Sequence, residues 1–388
     1  MLYSYKKINI EAPFPTKQCG HSCQTYLVDT YKDHLYARVI GLQENEKFII
    51  HLSLDLLAFD YKYKNELEIK LRQYYKNNNL HLITSATHTH YANSVRDLKY
   101  VSWLLDTLYQ NIISMNYLEK GNIYTTYNYV HTTACGKSRI SNYETNNEYL
   151  CLIRFFDDTS NFFNLIIYNC HPTILSNQTQ FFSSEYPGYL LKLFEDEYHT
   201  DCSFIQGASG DISSRFVRNG QEYKDMIELV LPLYKEVKKL MNCGIEKHLL
   251  KLDYSERNIE YKHDYSPIDV SKLRKDLSTR ELETIQIGQE IRKNINNQLN
   301  NEIFGDRIDE IKLGTWNLGS IKLVFYPNEI FSSYLNGLDL NKKMLVSYSN
   351  GYGPYILPID FPYVTYEMFL DTLSKETKYT IIKEILNA

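Results

Sequence analysis

The sequence predicts an α/β protein built from layered mixed β-sheets flanked by helices. Two observations carry this expectation. The apolar runs are short and bounded, as strands of an α/β protein are, and stretches with helical periodicity fall between them. Strands alternating with helices in this way form layered sheets covered by helices. The composition agrees, because 43% hydrophobic and 23% charged residues are ordinary for a chain with a packed core. In chain order the expected strands are His34–Ile40, Lys47–Leu54, His81–Ser85, Tyr149–Phe156, Phe163–Asn169, Ser203–Gln206, Ile321–Tyr326 and Met344–Tyr348. The helical patterns are Asn65–Lys76, Asp97–Leu118, Tyr186–His199 and Tyr223–Met241. Ser184-Glu185-Tyr186-Pro187 reads as a helix start, with a Ser cap and Pro in the first turn. The charged, weakly periodic stretch Val270–Leu299 is expected as a helical insertion within about residues 265–305, either on the surface or as a lid. No repeat, Pro- or Gly/Ser-rich linker or low-complexity tract divides the 388 residues, so one domain over 1–388 is expected.

Charge and targeting narrow the function classes. Lys+Arg 42 against Asp+Glu 47 leaves a net charge of −5, which argues against a nucleic-acid partner. No run approaches the length of a membrane span. Met1 to Lys7 shows no basic segment followed by an apolar one, so no secretory signal is read and a cytoplasmic location is expected. The seven cysteines form no dense framework, which suits free thiols in a reducing compartment. Cys19-x3-Cys23 has zinc-like spacing, but no second Cys/His pair of matching spacing follows it.

The residues with chemistry stand at the ends of strand-like runs. His88 and His90 close Leu82-Ile83-Thr84-Ser85-Ala86-Thr87-His88-Thr89-His90, and in extended chain residues i and i+2 face one side. Neutral imidazole is the commonest metal ligand, although a hydrogen-bonded His pair at a strand end is the plainer reading. His171-Pro172 terminates the buried run Phe163–Cys170. Ser203–Gln206 runs into Gly207-Ala208-Ser209-Gly210-Asp211, either a close approach to a ligand or a tight turn. Ile321–Tyr326 runs into Pro327-Asn328-Glu329, whose carboxylate is either a helix N-terminal charge or a metal ligand. A loop dense in Gly and Tyr, Tyr348 to Tyr355, follows. Ligands of α/β sheets bind beyond the carboxyl ends of strands, so these ends point towards one site. On spacing alone a metal hydrolase is plausible and unproven.

In order along the chain, Leu35-Tyr36-Ala37-Arg38, Ser53-Leu54-Asp55, Thr87-His88-Thr89-His90, His171-Pro172-Thr173, Gly210-Asp211-Ile212-Ser213, Pro327-Asn328-Glu329 and Ser349-Asn350 through Tyr366-Glu367 make a pattern. It resembles the catalytic domain of the neutral/alkaline (non-lysosomal) ceramidase family over nearly the whole chain. The resemblance implies that family's catalytic fold and one catalytic Zn2+ held by two His, a Glu and a Tyr. Those ligands would be His88, His171, Glu329 and Tyr355. It further implies His90 as the proton-handling imidazole beside the metal, Tyr366 as donor to the oxyanion and Arg139 as the active-site arginine. The implied reaction is attack of metal-bound water on an amide carbonyl, releasing a carboxylate and an amine.

The chain departs from the family pattern in three places. Gly207 stands where the family motif places a Ser, and Ser209 is out of register, which favours water over an acyl-serine route. Tyr91-Ala92-Asn93-Ser94 replaces a Gly-Pro-rich continuation expected to border the substrate entrance. The chain ends at Ala388, soon after Tyr366, where the family's C-terminal β-sandwich domain would follow. The expected protein is therefore a compact relative whose partner is a small-molecule amide, N-acyl or peptide-like. Two other readings stay open: an acyl- or amide-forming transferase of small-molecule biosynthesis on the same metal site, and a non-catalytic binding protein on the same fold. Manganese or iron also tolerates His/Glu/Tyr ligation. The oligomeric state is not legible.

Overall fold

The computed structural model describes residues 1–20, 27–140, 143, 145, 147–244, 246–301 and 308–388. Three sheets form the frame. The first runs Leu80–Ala86, Lys47–Leu54, Tyr36–Glu44, Leu2–Asn9 and Leu118–Glu119 in spatial order. The second runs Asp201–Gln206, Asn161–Tyr168, Tyr149–Phe156, Tyr124–His131 and His248–Leu249. The third runs Asp253–Lys262, Ile308–Asn317, Lys322–Phe325 and Lys343–Val346. Each sheet is antiparallel except for one parallel pair at its edge: Lys47–Leu54 with Leu80–Ala86, Asn161–Tyr168 with Asp201–Gln206, and Lys322–Phe325 with Lys343–Val346.

A parallel pair cannot be joined by a hairpin and needs a crossover. Helix α1 (Tyr61–Tyr75) makes the first, with α2 (Leu98–Ile113) packed beside it. Helix α3 (Glu185–Tyr198) makes the second, with α4 (Tyr223–Met241) beside it, and the short turn Ser332–Leu335 lies in the third. The strands between are buried on both faces. Ala37 and Val39 face the α1–α2 layer while Ile40 and Leu42 face the second sheet. Leu150 and Leu152 face α3 and α4 while Cys151 and Ile153 face inward. Hydrogen bonds cross between the two sheets from Tyr5 Oη to Cys202 O (3.1 Å) and from Ser53 Oγ to Phe204 O (2.6 Å). The layers are helices, sheet, sheet, helices, as the alternation of elements predicts.

Strands buried on both faces read as continuous apolar runs, which is why the sequence exposes them. Leu2–Asn9, Tyr124–His131, Asp253–Lys262 and Ile308–Asn317 escaped that reading. In Asp253–Lys262, Tyr254, Ile259 and Tyr261 are buried while Asp253, Ser255, Arg257, Asn258 and Glu260 face water, so the polar half dilutes the run. Between Asp253–Lys262 and Ile308–Asn317 the chain makes the expected helical excursion, α5 (Thr279–Asn301). Helices α6 (Tyr366–Leu370) and α7 (Lys375–Asn387) close the chain.

One local expectation is corrected. Ser184 occupies the residue before α3 but caps nothing: its backbone is already helical (φ −72°, ψ −4°), whereas a capping residue needs the extended region. Its N–H and Oγ donate instead to Asp33 Oδ1, at 2.6 and 2.5 Å. Cys19, Cys135, Cys151, Cys170, Cys202 and Cys243 are free thiols; Cys23 lies outside the described residues. Among the described residues no helix is long and apolar enough to cross a membrane.

His51 gives the core a pH dependence. It lies on Lys47–Leu54, 1% exposed, against Trp316 and Phe325, with Nε2 3.2 Å from Ser85 Oγ. Burial pushes it down to about 3. The unfolded chain takes up this proton near pH 6.5 and the folded chain does not, so the stability contribution is complete above that pH. It is lost as pH falls towards 3, at up to about 1.4 kcal/mol per pH unit. In His51→Leu the urea midpoint should fall less steeply than wild type between pH 6.5 and 4.5. Parallel slopes would remove His51 from the acid limb.

Candidate metal centre

The carboxyl ends of the three parallel edge pairs meet, and the residues singled out by sequence leave the sheets there. Ser85 bridges Ser349 and Gly207 bridges Val346, so the third sheet is stitched to the other two. Ala86 N–H donates to Tyr348 O and Ser347 N–H to Gln206 O, both at 3.0 Å. This junction lies at the carboxyl ends of strands, the position at which α/β proteins bind ligands.

His88 and His90 converge by a different route from the one alternation suggests. Residues 87–90 lie beyond Leu80–Ala86, and His88 is left-handed with φ +66°. Its N–H donates to Leu56 O (2.9 Å), and its ring stacks on Tyr348, itself at φ +51°, with centroids 3.8 Å apart. Left-handed backbone at a bulky residue costs on the order of 1–3 kcal/mol and persists only where surroundings enforce it. Here the turn and the stack enforce it.

Each site histidine is held by a backbone carbonyl. His88 Nδ1 lies 2.7 Å from Leu57 O, His90 Nδ1 2.9 Å from Gly20 O and His171 Nδ1 2.7 Å from Ser209 O. A carbonyl only accepts, so Nδ1 carries the proton and the Nε2 of a neutral ring carries the lone pair. Gly20 can reach His90 because it has no side chain: at its φ of +128° a Cβ would sit 2.7 Å from His90 Cα.

Glu329 lies on the short strand Asn328–Ile330, paired in parallel with Gly353–Ile356 and opposite Tyr355. Its Oε2 is 3.2 Å from His171 Nε2 and 3.6 Å from His88 Nε2. These three atoms are buried and none makes a hydrogen bond within the protein. A buried polar atom left so costs about 1–3 kcal/mol, and three facing one another fit a cation shared between them. One ligand nitrogen from each of His88, His90 and His171 also falls within a 4.8 Å cluster. Burial first, then the Arg139 charge, push His171 down to about 4, so its ring is neutral at pH 7. Burial opposes ionisation of Glu329, but the positive charge that His88 and His171 carry when protonated outweighs it and holds the carboxyl well below its usual range. Neutral imidazole and carboxylate are the forms that bind metal.

The other expected residues surround this group. Arg139 Nη2 donates to Tyr355 Oη (2.9 Å) and to Glu367 Oε1 (2.8 Å). The Tyr355 ring lies parallel to His171 and edge-on to Tyr366, with centroids 6.4 and 6.2 Å apart. Burial first, then Glu329 and Glu367, push the Tyr366 hydroxyl up to about 12, so it keeps its proton. The motif residues Arg38 and Asp55 stand apart from the centre as a buried ion pair (3.1 Å), with Asp55 also accepting Tyr36 N–H.

Gly207 has no room for a side chain, since a Cβ would lie 2.8 Å from Asn169 Cβ. Ser209 Oγ is engaged with Tyr348 Oη at 3.1 Å. Tyr91 to Ser94 is buried. Tyr91 is fully buried, and Ala92–Asn93 pairs with Gln18–Cys19, fixing Gly20 beside His90.

Sequence reasoning missed Tyr352 and Tyr348. Tyr352 Oη donates to Glu329 Oε1 at 2.6 Å, orienting the carboxylate so that Oε2 faces the histidines. The only signal was the density of Gly and Tyr in 348–355. Tyr352→Phe should weaken metal affinity about 10- to 100-fold, the scale of a lost ligand-orienting hydrogen bond. Competition with a chelating dye measures this, and an unchanged constant would relieve Tyr352 of the role.

No family model matches the sequence, and no curated protein matches it. Solved structures do. The neutral ceramidase from Pseudomonas aeruginosa superposes with a TM-score of 0.72 at 13% identity, over 99% of this chain and 73% of that one. A ceramidase complexed with C2 superposes with a TM-score of 0.73 at 12% identity, over 99% of this chain and 74% of that one. The chain has the neutral ceramidase-like catalytic fold, and the resemblance read from its motifs holds at the level of fold.

Proposed function

We propose that this chain, which carries the fold of the neutral ceramidases, is a zinc-dependent hydrolase of an N-acyl or peptide-like amide. The observation that supports it most is the set of buried, unpartnered atoms on His88, His171 and Glu329 facing one another at the junction of three sheets. In this reading His88, His171 and Glu329 hold the metal, with Tyr355 as the fourth ligand. Bound zinc would supply a Lewis acid and a water acidified towards a pKa of about 7.

The protein's own groups do the rest. His90, with Nδ1 fixed at Gly20 O, offers Nε2 to take a proton from water and return it to the leaving amine. Tyr366 keeps its proton at neutral pH and donates to the oxygen that gains charge as the carbonyl becomes tetrahedral. Arg139 fixes the Tyr355 hydroxyl and the Glu367 carboxylate together. The lack of room at Gly207 and the engagement of Ser209 support water rather than a serine as nucleophile. Free thiols, buried at five positions and exposed at Cys243, support a reducing compartment such as the cytoplasm.

The test is elemental analysis of the purified chain beside the His88→Ala/His171→Ala double variant, followed by a panel of N-acyl amides. About one zinc per chain in wild type, none in the variant and release of free amine are expected. No metal after reconstitution would overturn the reading and leave a binding protein on this fold. Transfer of the acyl group to an added amine would make the protein a transferase. The 4.8 Å histidine cluster favours one variant of the reading, with His90 as a ligand. His90→Ala separates the two: metal retained with turnover lost fits proton handling, and metal lost fits ligation.

A further inference from the structure

Helix α5 is seated on the short helix that carries Tyr366. Ile285, Gly288 and Arg292 are spaced three and four residues apart and so share one face. Ile285 is buried in a cluster with Val364 and Phe369. Arg292 is 7% exposed; it donates from Nη2 to Asp264 O (2.8 Å) and from Nη1 to Asp371 O (3.4 Å), the residue that ends α6. Between these two anchors lies Gly288. A Cβ there would be 3.2 Å from Phe369 Cβ and 3.3 Å from Tyr366 Cδ2, so the backbone of α5 runs directly over the Tyr366 ring.

Helix α6 needs such support. It has five residues and no side-chain cap at Thr365, far below the length at which a helix holds itself together. Its first two residues are Tyr366 and Glu367, which face Tyr355 and Arg139. We infer that α5 is a clamp on the candidate site and that Gly288 is a positioning residue. Its missing side chain lets α5 close on α6, which sets the direction of the Tyr366 hydroxyl and keeps Glu367 against Arg139. One methyl at Gly288 can be absorbed by a shift of a few tenths of an ångström, but a branched side chain cannot. Because Val and Ala both have higher helix propensity than Gly, a substitution there does not weaken α5 itself.

The consequence for turnover rests on the hydrolase reading, so the experiment pairs it with a readout that does not. Zinc content, kcat and KM on the best N-acyl amide of the panel, and hydrogen exchange of the 366–370 amides are measured for wild type, Gly288→Ala, Gly288→Val and Gln286→Val. Gln286 lies on the exposed face of α5 and controls for the substitution alone. Gly288→Val should keep its zinc and its KM within about two-fold while kcat falls about ten-fold or more, as misplacement of a reacting group does. Exchange at 366–370 should quicken, Gly288→Ala should fall between, and Gln286→Val should match wild type. Unchanged kcat in Gly288→Val, or a fall carried by KM or lost zinc, would overturn the inference. A wild-type chain that cleaves no amide would sink the hydrolase reading, and exchange then decides the clamp. Faster exchange in Gly288→Val would uphold it and equal exchange would overturn it.

Discussion

His171→Ala is expected to strip the purified chain of zinc and to abolish amide cleavage. His171 is fully buried and neutral at pH 7, and its Nε2 is 3.2 Å from Glu329 Oε2. Loss of a group that merely orients a ligand costs about 10- to 100-fold in metal affinity, and loss of the ligand itself should cost more. Glu329→Gln should behave alike: it keeps the shape and a partner for the Tyr352 hydroxyl but removes the charge that balances a divalent cation. A second readout separates ligation from misfolding. Zinc should raise the thermal midpoint of wild type and leave that of either variant unmoved, because only a ligand that binds the folded state stabilises it. Either variant retaining full metal and full activity would remove that residue from the ligand set.

Tyr366→Phe should leave zinc content and fold intact and lower kcat by about 100-fold, the scale of a lost oxyanion donor. The substitution deletes one oxygen. The ring remains, with its edge-on contact to Tyr355 and its seat under Gly288. The hydroxyl keeps its proton to about pH 12, so the loss should be constant across the neutral range instead of following a titration. Equal rates for Tyr366→Phe and wild type would take Tyr366 out of the mechanism.

The frame was legible where strands are buried on both faces. Lys47–Leu54 and Tyr149–Phe156 stand at the boundaries that their apolar runs suggest. Strands with a wet face, such as Asp253–Lys262, were not, because alternating charged residues hide the buried half. At the centre, His88, His171 and Glu329 were legible by residue type and by position after a strand. Tyr352 was not, because a tyrosine that orients a carboxylate looks in sequence like any loop tyrosine. The expected shared side for His88 and His90 is found, but through a left-handed residue and not through strand alternation.

By itself, the sequence determined the layered α/β class, the ends of its most buried strands, the helical excursion before Ile308–Asn317 and the residue types available for metal chemistry. Those are local properties, written in periodicity and in the residues that close each apolar run. Tertiary structure decided the rest: that three parallel edge pairs bring their carboxyl ends together, that carbonyls of Leu57, Gly20 and Ser209 set each imidazole, and that α5 rests on Tyr366. These depend on contacts between residues far apart in the chain, where no local pattern fixes a distance and only the packing of the sheets does.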